Sequence, residues 1–103
     1  MVKAVCIFRL KEGIDEGAFE DYFRNKHVND AKKLLGLKKY TIGKVVNTED
    51  PNVYYRVNEL YYDSLEDAQK SFLTEWAKAC TDEFLERVKD FMCMFVEEEE
   101  VEL

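Results

Sequence analysis

Proline is nearly absent from this 103-residue chain: Pro51 is the only one, and glycine occurs four times. That excludes a collagen-like or Pro/Gly-rich low-complexity segment. Histidine occurs once, as His27, and the three cysteines, Cys6, Cys80 and Cys93, form no CxxC pair. A structural zinc site therefore has almost no ligands to draw on, and reduced packing thiols are the expectation. Positive charge is short as well: 15 Lys and Arg stand against 22 Asp and Glu, for a formal net charge of -7. A duplex phosphate backbone repels that balance, so no nucleic acid partner is expected. Long apolar runs are missing too. The longest near the N-terminus, Ala4 to Phe8, is followed closely by Arg9 and Lys11. It is too short to span a bilayer and does not resemble a signal peptide. No membrane association is expected, and a cytoplasmic location is.

What remains is a chain with 47% hydrophobic and 14% aromatic residues, which excludes disorder. Its length fits one domain over residues 1–103, burying about two-thirds of the unfolded surface. "VKAVCIFRL", Val2 to Leu10, alternates but is apolar on both faces, the pattern of a strand covered on both sides. Asp15 is placed to cap a helix in which Phe19, Phe23, His27, Ala31 and Leu35 follow an i, i+4 row. Gly36 fits the left-handed position after a helix end, and Leu37 the apolar contact that accompanies it.

Lys38 to Val46 is rich in β-branched residues and predicts a second strand. The stretch 47–52, with Pro51, reads as a loop, and Val53 to Tyr62 as a third strand. Ser64 is a good N-cap for the helix that follows, with Asp67 three residues on. The segment around Trp76 is ambiguous, a short helix or irregular, before a helix near Thr81 to Val88. Phe91 onward predicts a last strand, and Glu97 to Glu100 a solvated end.

The order β-α-β-β-α-β is the ferredoxin-like arrangement, an α+β fold with an antiparallel sheet carrying its helices on one face. Strand one and Met92 to Val96 are apolar on both sides, yet two helices cover only one face. A second copy of the sheet, packed face to face in a homodimer, is the economical cover.

"FEDYFRNKH" followed by "LLGLKKYTIG" resembles the EthD-type family of dimeric α+β barrel proteins. "NELYYDSLEDAQKSF", "TDEFLERV" and "VEEEEVE" continue the likeness in order along nearly the whole chain. Two departures stand out: Leu35 replaces a turn proline, and Arg56-Val57-Asn58 replaces a common Asp-Gly before Glu59. The resemblance implies one of several activities, because the superfamily holds isomerases, cyclases, cofactor-free monooxygenases, haem enzymes and many proteins of unsettled role. In the methylmuconolactone-isomerase branch it implies that a histidine and a tyrosine at the positions of His27 and Tyr40 line the active site. That branch also uses a cysteine and a second histidine that have no match here, which disfavours that particular reaction.

Two readings of His27 compete. One is a core histidine, hydrogen-bonded and inert. The other is a general acid/base, since an imidazole titrates near working pH. Geometry favours the second. From Gly36 back to His27 is about 13–14 Å of helix, and forward to Tyr40 about 13 Å of strand. A strand returning antiparallel beneath the helix brings Tyr40 level with His27. The candidate catalytic pair is therefore His27 and Tyr40. Tyr22, Phe23, Glu59, Tyr61 and Trp76 are candidate substrate-binding residues, with Tyr55 a further aromatic lining candidate. No cofactor is expected. The functional expectation implied by the resemblance is cofactor-free acid/base chemistry on a small apolar carbonyl, lactone or polyketide-like compound. A non-catalytic small-molecule binding protein and a purely structural homodimer are the alternatives.

Overall fold

The structure, a computed structural model, describes residues 1–46, 49–50 and 53–103. Asn47, Thr48, Pro51 and Asn52, and with them most of the expected loop at 47–52, lie outside the described residues. In chain order the elements are β1 (Val2–Leu10), α1 (Glu16–Tyr22), a π-helical turn (Phe23–His27), α2 (Val28–Ala31), β2 (Lys39–Lys44), β3 (Arg56–Tyr62), α3 (Leu65–Phe72), α4 (Glu75–Leu85) and β4 (Val88–Glu97). The four strands form one sheet in the order β2-β3-β1-β4, and each neighbouring pair is antiparallel. This is the expected ferredoxin-like α+β fold.

The helix starts follow from single side chains. Asp15 Oδ2 accepts from the Ala18 backbone N–H at 2.8 Å, and Ser64 Oγ accepts from that of Asp67 at 3.1 Å. Thr74 does the same for the Ala77 N–H at 3.1 Å. This third cap makes the ambiguous stretch around Trp76 the opening turn of α4. The helix therefore begins well before Thr81, and Val88 already belongs to β4. The first helical run ends earlier than expected, at Ala31 with Lys32 as its cap, so Leu35 is not helical and Gly36, at φ +77°, lies in the turn that follows, in a conformation glycine adopts at little cost.

The first helical segment is not uniform. The Val28 N–H donates to the Phe23 carbonyl, an i→i+5 bond that widens one turn between α1 and α2. Phe23 is fully buried beneath that turn and packs with Phe8, Phe19, Phe84 and Val88. Phe8 and Phe84 meet edge-on at 4.8 Å. A second cluster holds Ala4, Cys6, Leu60, Tyr62 and Ala68, with the Tyr62 and Ser71 hydroxyls 2.9 Å apart.

The strand residues facing the helices are Ala4, Cys6 and Phe8 from β1 and Arg56, Asn58, Leu60 and Tyr62 from β3. A charge in that set is unexpected. Arg56 is tolerated because its Nη2 donates to both Glu20 carboxylate oxygens, at 2.7 and 3.0 Å, while its guanidinium lies over Phe23 at 4.7 Å. The opposite face of the sheet carries Lys3, Val5, Ile7, Val57, Glu59, Tyr61, Met92 and Met94.

The cysteines correct the sequence reading. Three reduced thiols were the expectation, but the structure joins Cys6 to Cys93 and leaves Cys80 free. The two are 87 residues apart in sequence, yet the β1–β4 register sets them directly opposite, with 4.2 Å between their Cα atoms. The cytoplasmic expectation loses the support of reduced thiols, since disulfides are rare in that compartment. No helix among the described residues is long and apolar enough to cross a membrane.

Candidate functional site

Between the helices and the sheet lies a pocket of about 340 Å³. Its floor is the middle of the sheet: Cys6 and Cys93, Tyr40 from β2, and Asn58 and Leu60 from β3. One wall is the first helical run, through His27, Ala31 and Leu34. The other is α4, which contributes Ala77, Cys80 and Phe84 to the lining and Lys78, Thr81 and Asp82 as its polar groups. The lining is largely apolar with a few polar groups converging on it, which is the usual make-up of a small-molecule site.

His27 enters the pocket from the π-helical turn. Its ring stacks on Phe84 at 4.1 Å between centroids and on Phe23 at 5.6 Å. Burial among these rings penalises the charged form and pushes the imidazole from its usual 6.5 down to about 4. Asp30 and Glu83 pull the other way, and Lys26 adds to the depression. His27 is therefore neutral near pH 7. The Tyr40 phenol is pushed up to about 12, again mainly by burial, with the Arg56 charge opposing. It stays protonated and can donate a hydrogen bond. Neither the His27 nitrogens nor the Tyr40 hydroxyl hydrogen-bonds to another described residue. A neutral imidazole and a protonated phenol on one apolar pocket can accept a proton and hold an oxygen, respectively.

The other sequence candidates lie elsewhere. Tyr22 is half-buried beside the pocket wall, with the Arg87 guanidinium 3.8 Å from its ring centre, and Phe23 is core beneath His27. Trp76 is 41% exposed, and its Nε1 donates to the Asp30 carbonyl at 2.9 Å. Glu59 and Tyr61 project from the opposite face of the sheet. Glu59 accepts from Lys3 Nζ at 2.9 Å, and Tyr61 lies between the Lys3 and Lys39 ammonium groups. Tyr55 packs against Phe8 and Phe19 near the end of the sheet and donates to Glu16. None of these six lines the pocket. Of the lining residues only His27 and Tyr40 were anticipated; those missed include Asn58, Phe84 and all three cysteines. The signal for Asn58 was alternation with Leu60; for Phe84 it was the Thr74 cap, which fixes the phase of α4.

Among the described residues no cluster of three or more His, Cys, Asp or Glu side chains is placed to hold a metal ion.

A search of curated proteins finds no match to this chain. Solved structures do match. A protein of the ethyl tert-butyl ether D (EthD) family from Bacillus halodurans C-125 is 26% identical, with a TM-score of 0.82, covering 96% of this chain and 99% of that one. A hydroxynitrile lyase from Passiflora edulis is 14% identical at a TM-score of 0.79, covering 99% and 96%. A dimeric ferredoxin-like protein of unknown function from Thermobifida fusca is 12% identical at a TM-score of 0.73, covering 92% and 88%. The last two likenesses concern the fold alone. The family model for the EthD domain matches residues 11–85, a span that carries the helical wall, β2, β3 and α4 of the pocket. This chain belongs to the EthD domain family.

Proposed function

We propose that the pocket binds a small, largely apolar compound and that His27 moves a proton on it while Tyr40 holds its oxygen. The observation that carries this reading is the pairing of a neutral imidazole with a protonated, unpartnered phenol on one apolar cavity. A carbonyl, lactone or polyketide-like compound fits that pair. The Tyr40 hydroxyl would donate to the carbonyl oxygen. An imidazole nitrogen would take a proton from the adjacent carbon and return it to a second position, so no electron donor or acceptor is required. An imidazole depressed this far is a weak base, so the chemistry suits a substrate carbon whose proton is already acidified by the hydrogen-bonded carbonyl. The fold accommodates catalysis in at least one similar structure, the Passiflora edulis hydroxynitrile lyase.

The second reading is a non-catalytic binding protein using the same cavity. The close stacking of His27 on Phe84 favours it, because that contact is also what a packing histidine would make. The two readings part on one experiment. Proton NMR of the single histidine follows binding of small ketones and lactones, and turnover is then assayed with His27→Gln and Tyr40→Phe. Losing an acid/base of this kind costs about a hundred- to ten-thousand-fold in rate. Binding without turnover would leave the binding reading, and turnover unaffected by His27→Gln would take His27 out of the chemistry.

Assembly belongs to the same proposal. The sheet face away from the helices exposes Met92 (49%) and Met94 (42%) beside Val5, Ile7 and Val57. A second copy packed face to face would cover it, as a dimeric barrel requires. A similar fold described as dimeric, from Thermobifida fusca, supports this.

A further inference from the structure

Asn58 sits on the pocket floor, 4% exposed, directly opposite Cys6 on β1 and Ile42 on β2. Its Oδ1 is buried and has no hydrogen-bond partner among the described residues. Two directly opposite strand neighbours cannot supply one: Ile42 is apolar, and the Cys6 sulfur is bonded to Cys93 and has no hydrogen to give. Leaving a buried carboxamide oxygen unpaired is destabilising, and a leucine of similar volume would avoid the loss. Among the described residues the Arg56 Nε, two positions away on the same strand face, is also buried without a partner and makes no hydrogen bond to it, so the donor is left for an occupant of the pocket to supply.

We infer that Asn58 is a ligand-contacting residue that selects molecules carrying a hydroxyl or N–H donor. This rests on the pocket being a small-molecule site and adds to it the chemical class of the occupant. The terminal torsion of asparagine is soft and two-fold, and the ends of the amide are nearly isosteric. Turning the amide would bring its oxygen towards the cavity without moving the strand, its nitrogen taking the buried place beside the disulfide. Tyr40 and Asn58 are diagonal neighbours on the floor, because Tyr40 pairs with Leu60 and Ile42 with Asn58. The occupant thus meets a donor from Tyr40 and an acceptor from Asn58 side by side on the sheet, with His27 on the helical wall. A compact apolar body bearing an oxygen acceptor and, near it, a hydroxyl or amide N–H satisfies both: a hydroxy-ketone, an enol or a phenol. A simple ether or hydrocarbon of the same size leaves Asn58 unpaired.

The test uses two probes of nearly equal shape, p-cresol and 4-methylanisole, titrated into the intact protein under non-reducing conditions. His27 ring signals report occupancy, and the Asn58 side-chain amide signals report contact. A single hydrogen bond predicts that the wild type binds p-cresol roughly three- to tenfold more tightly than the ether. Asn58→Leu is expected to abolish that preference, to hold ether affinity within about twofold, and to leave the melting temperature equal or higher. If that variant fails to fold, the wild type alone decides: Asn58 amide signals that move with p-cresol and stay still with the ether support the assignment. A preference that survives in Asn58→Leu, or Asn58 signals indifferent to both probes while His27 responds, overturns it and leaves the pocket reading standing. If neither probe moves the His27 signals at millimolar concentration, the pocket reading fails and this inference with it.

Discussion

Acidification should destabilise this protein partly through one ring. In the unfolded chain His27 takes up a proton near its ordinary 6.5; in the folded chain it resists until about 4. Above pH 6.5 the ring is neutral in both states and contributes nothing to the balance. Between 6.5 and about 4 the unfolded state binds more protons than the folded one, so stability falls as pH falls. The full interval, at 1.36 kcal/mol per unit, is worth roughly 3 kcal/mol, complete only below about pH 4. Against a typical stability of about 5–15 kcal/mol that is a large share. The surrounding charges are mixed: Asp30 and Glu83 favour the protonated ring, Lys26 opposes it, and Lys78 and Asp82 line the same pocket from α4. Many carboxylates titrate over the same range, so the wild-type curve alone does not isolate the effect. His27→Gln does, because glutamine is neutral throughout. Urea unfolding of both proteins at pH 7, 5.5 and 4, at one protein concentration, should give a stability difference that shifts towards the variant by about 1 kcal/mol at pH 5.5 and up to about 3 at pH 4. With a urea slope of about 1–3 kcal/mol/M, the midpoint gap moves by about 1–3 M at the acid end. A difference that stays constant with pH would refute the reasoning, as would an NMR titration midpoint near 6.5.

Three further outcomes can be checked independently. Light scattering should report about twice the 12.2 kDa chain mass at micromolar concentration, and Met94→Lys on the outer sheet face should drive it to monomer; a folded wild-type monomer would remove the dimer. Thiol titration of protein denatured without reductant should find one free thiol, Cys80, and three after reduction; three in both would show Cys6 and Cys93 unpaired. Gly36→Ala should lower stability by about 1–2 kcal/mol, or roughly 5–15 °C in Tm, because the cost of φ +77° is in the backbone. An added Cβ there meets Tyr62 only at 3.8 Å, so a much larger loss would point to packing instead.

Much of the fold was legible because its determinants are local. Asp15 and Ser64 mark helix starts with their own side chains, and the alternation of β1 marks the set Ala4, Cys6 and Phe8 that faces the helices. The extent of α4 was less clear, since its Thr74 cap stands among residues without a strong apolar rhythm. The rise-per-residue argument placed His27 and Tyr40 level, and both do line one pocket, although the helix it assumed as far as Gly36 ends at Ala31. The disposition of β3 was not. Alternation divides it correctly into two sets, but not which set faces the helices. The sequence candidates Glu59 and Tyr61 come from one set, while the set that faces the helices is the one containing Arg56. That charge is accepted inside only because Glu20, 36 positions away, neutralises it. The Cys6–Cys93 pair is invisible for the same reason: strand register is a property of the assembled sheet.

The widened turn at Phe23–His27 also bears on how relatives should be aligned. A regular helix advances 100° per residue, so one surplus residue would rotate everything beyond it onto the wrong face. A single i→i+5 bond absorbs that surplus locally, and α1 and α2 both keep their apolar sides on the sheet. A relative that lacks the widened turn needs one residue fewer here, with its loops unchanged. The gap in an alignment then belongs in mid-helix, between Phe23 and His27, and not in the nearest loop. Placed in the loop, it would set the wrong residue against His27 and hide a shared or missing histidine.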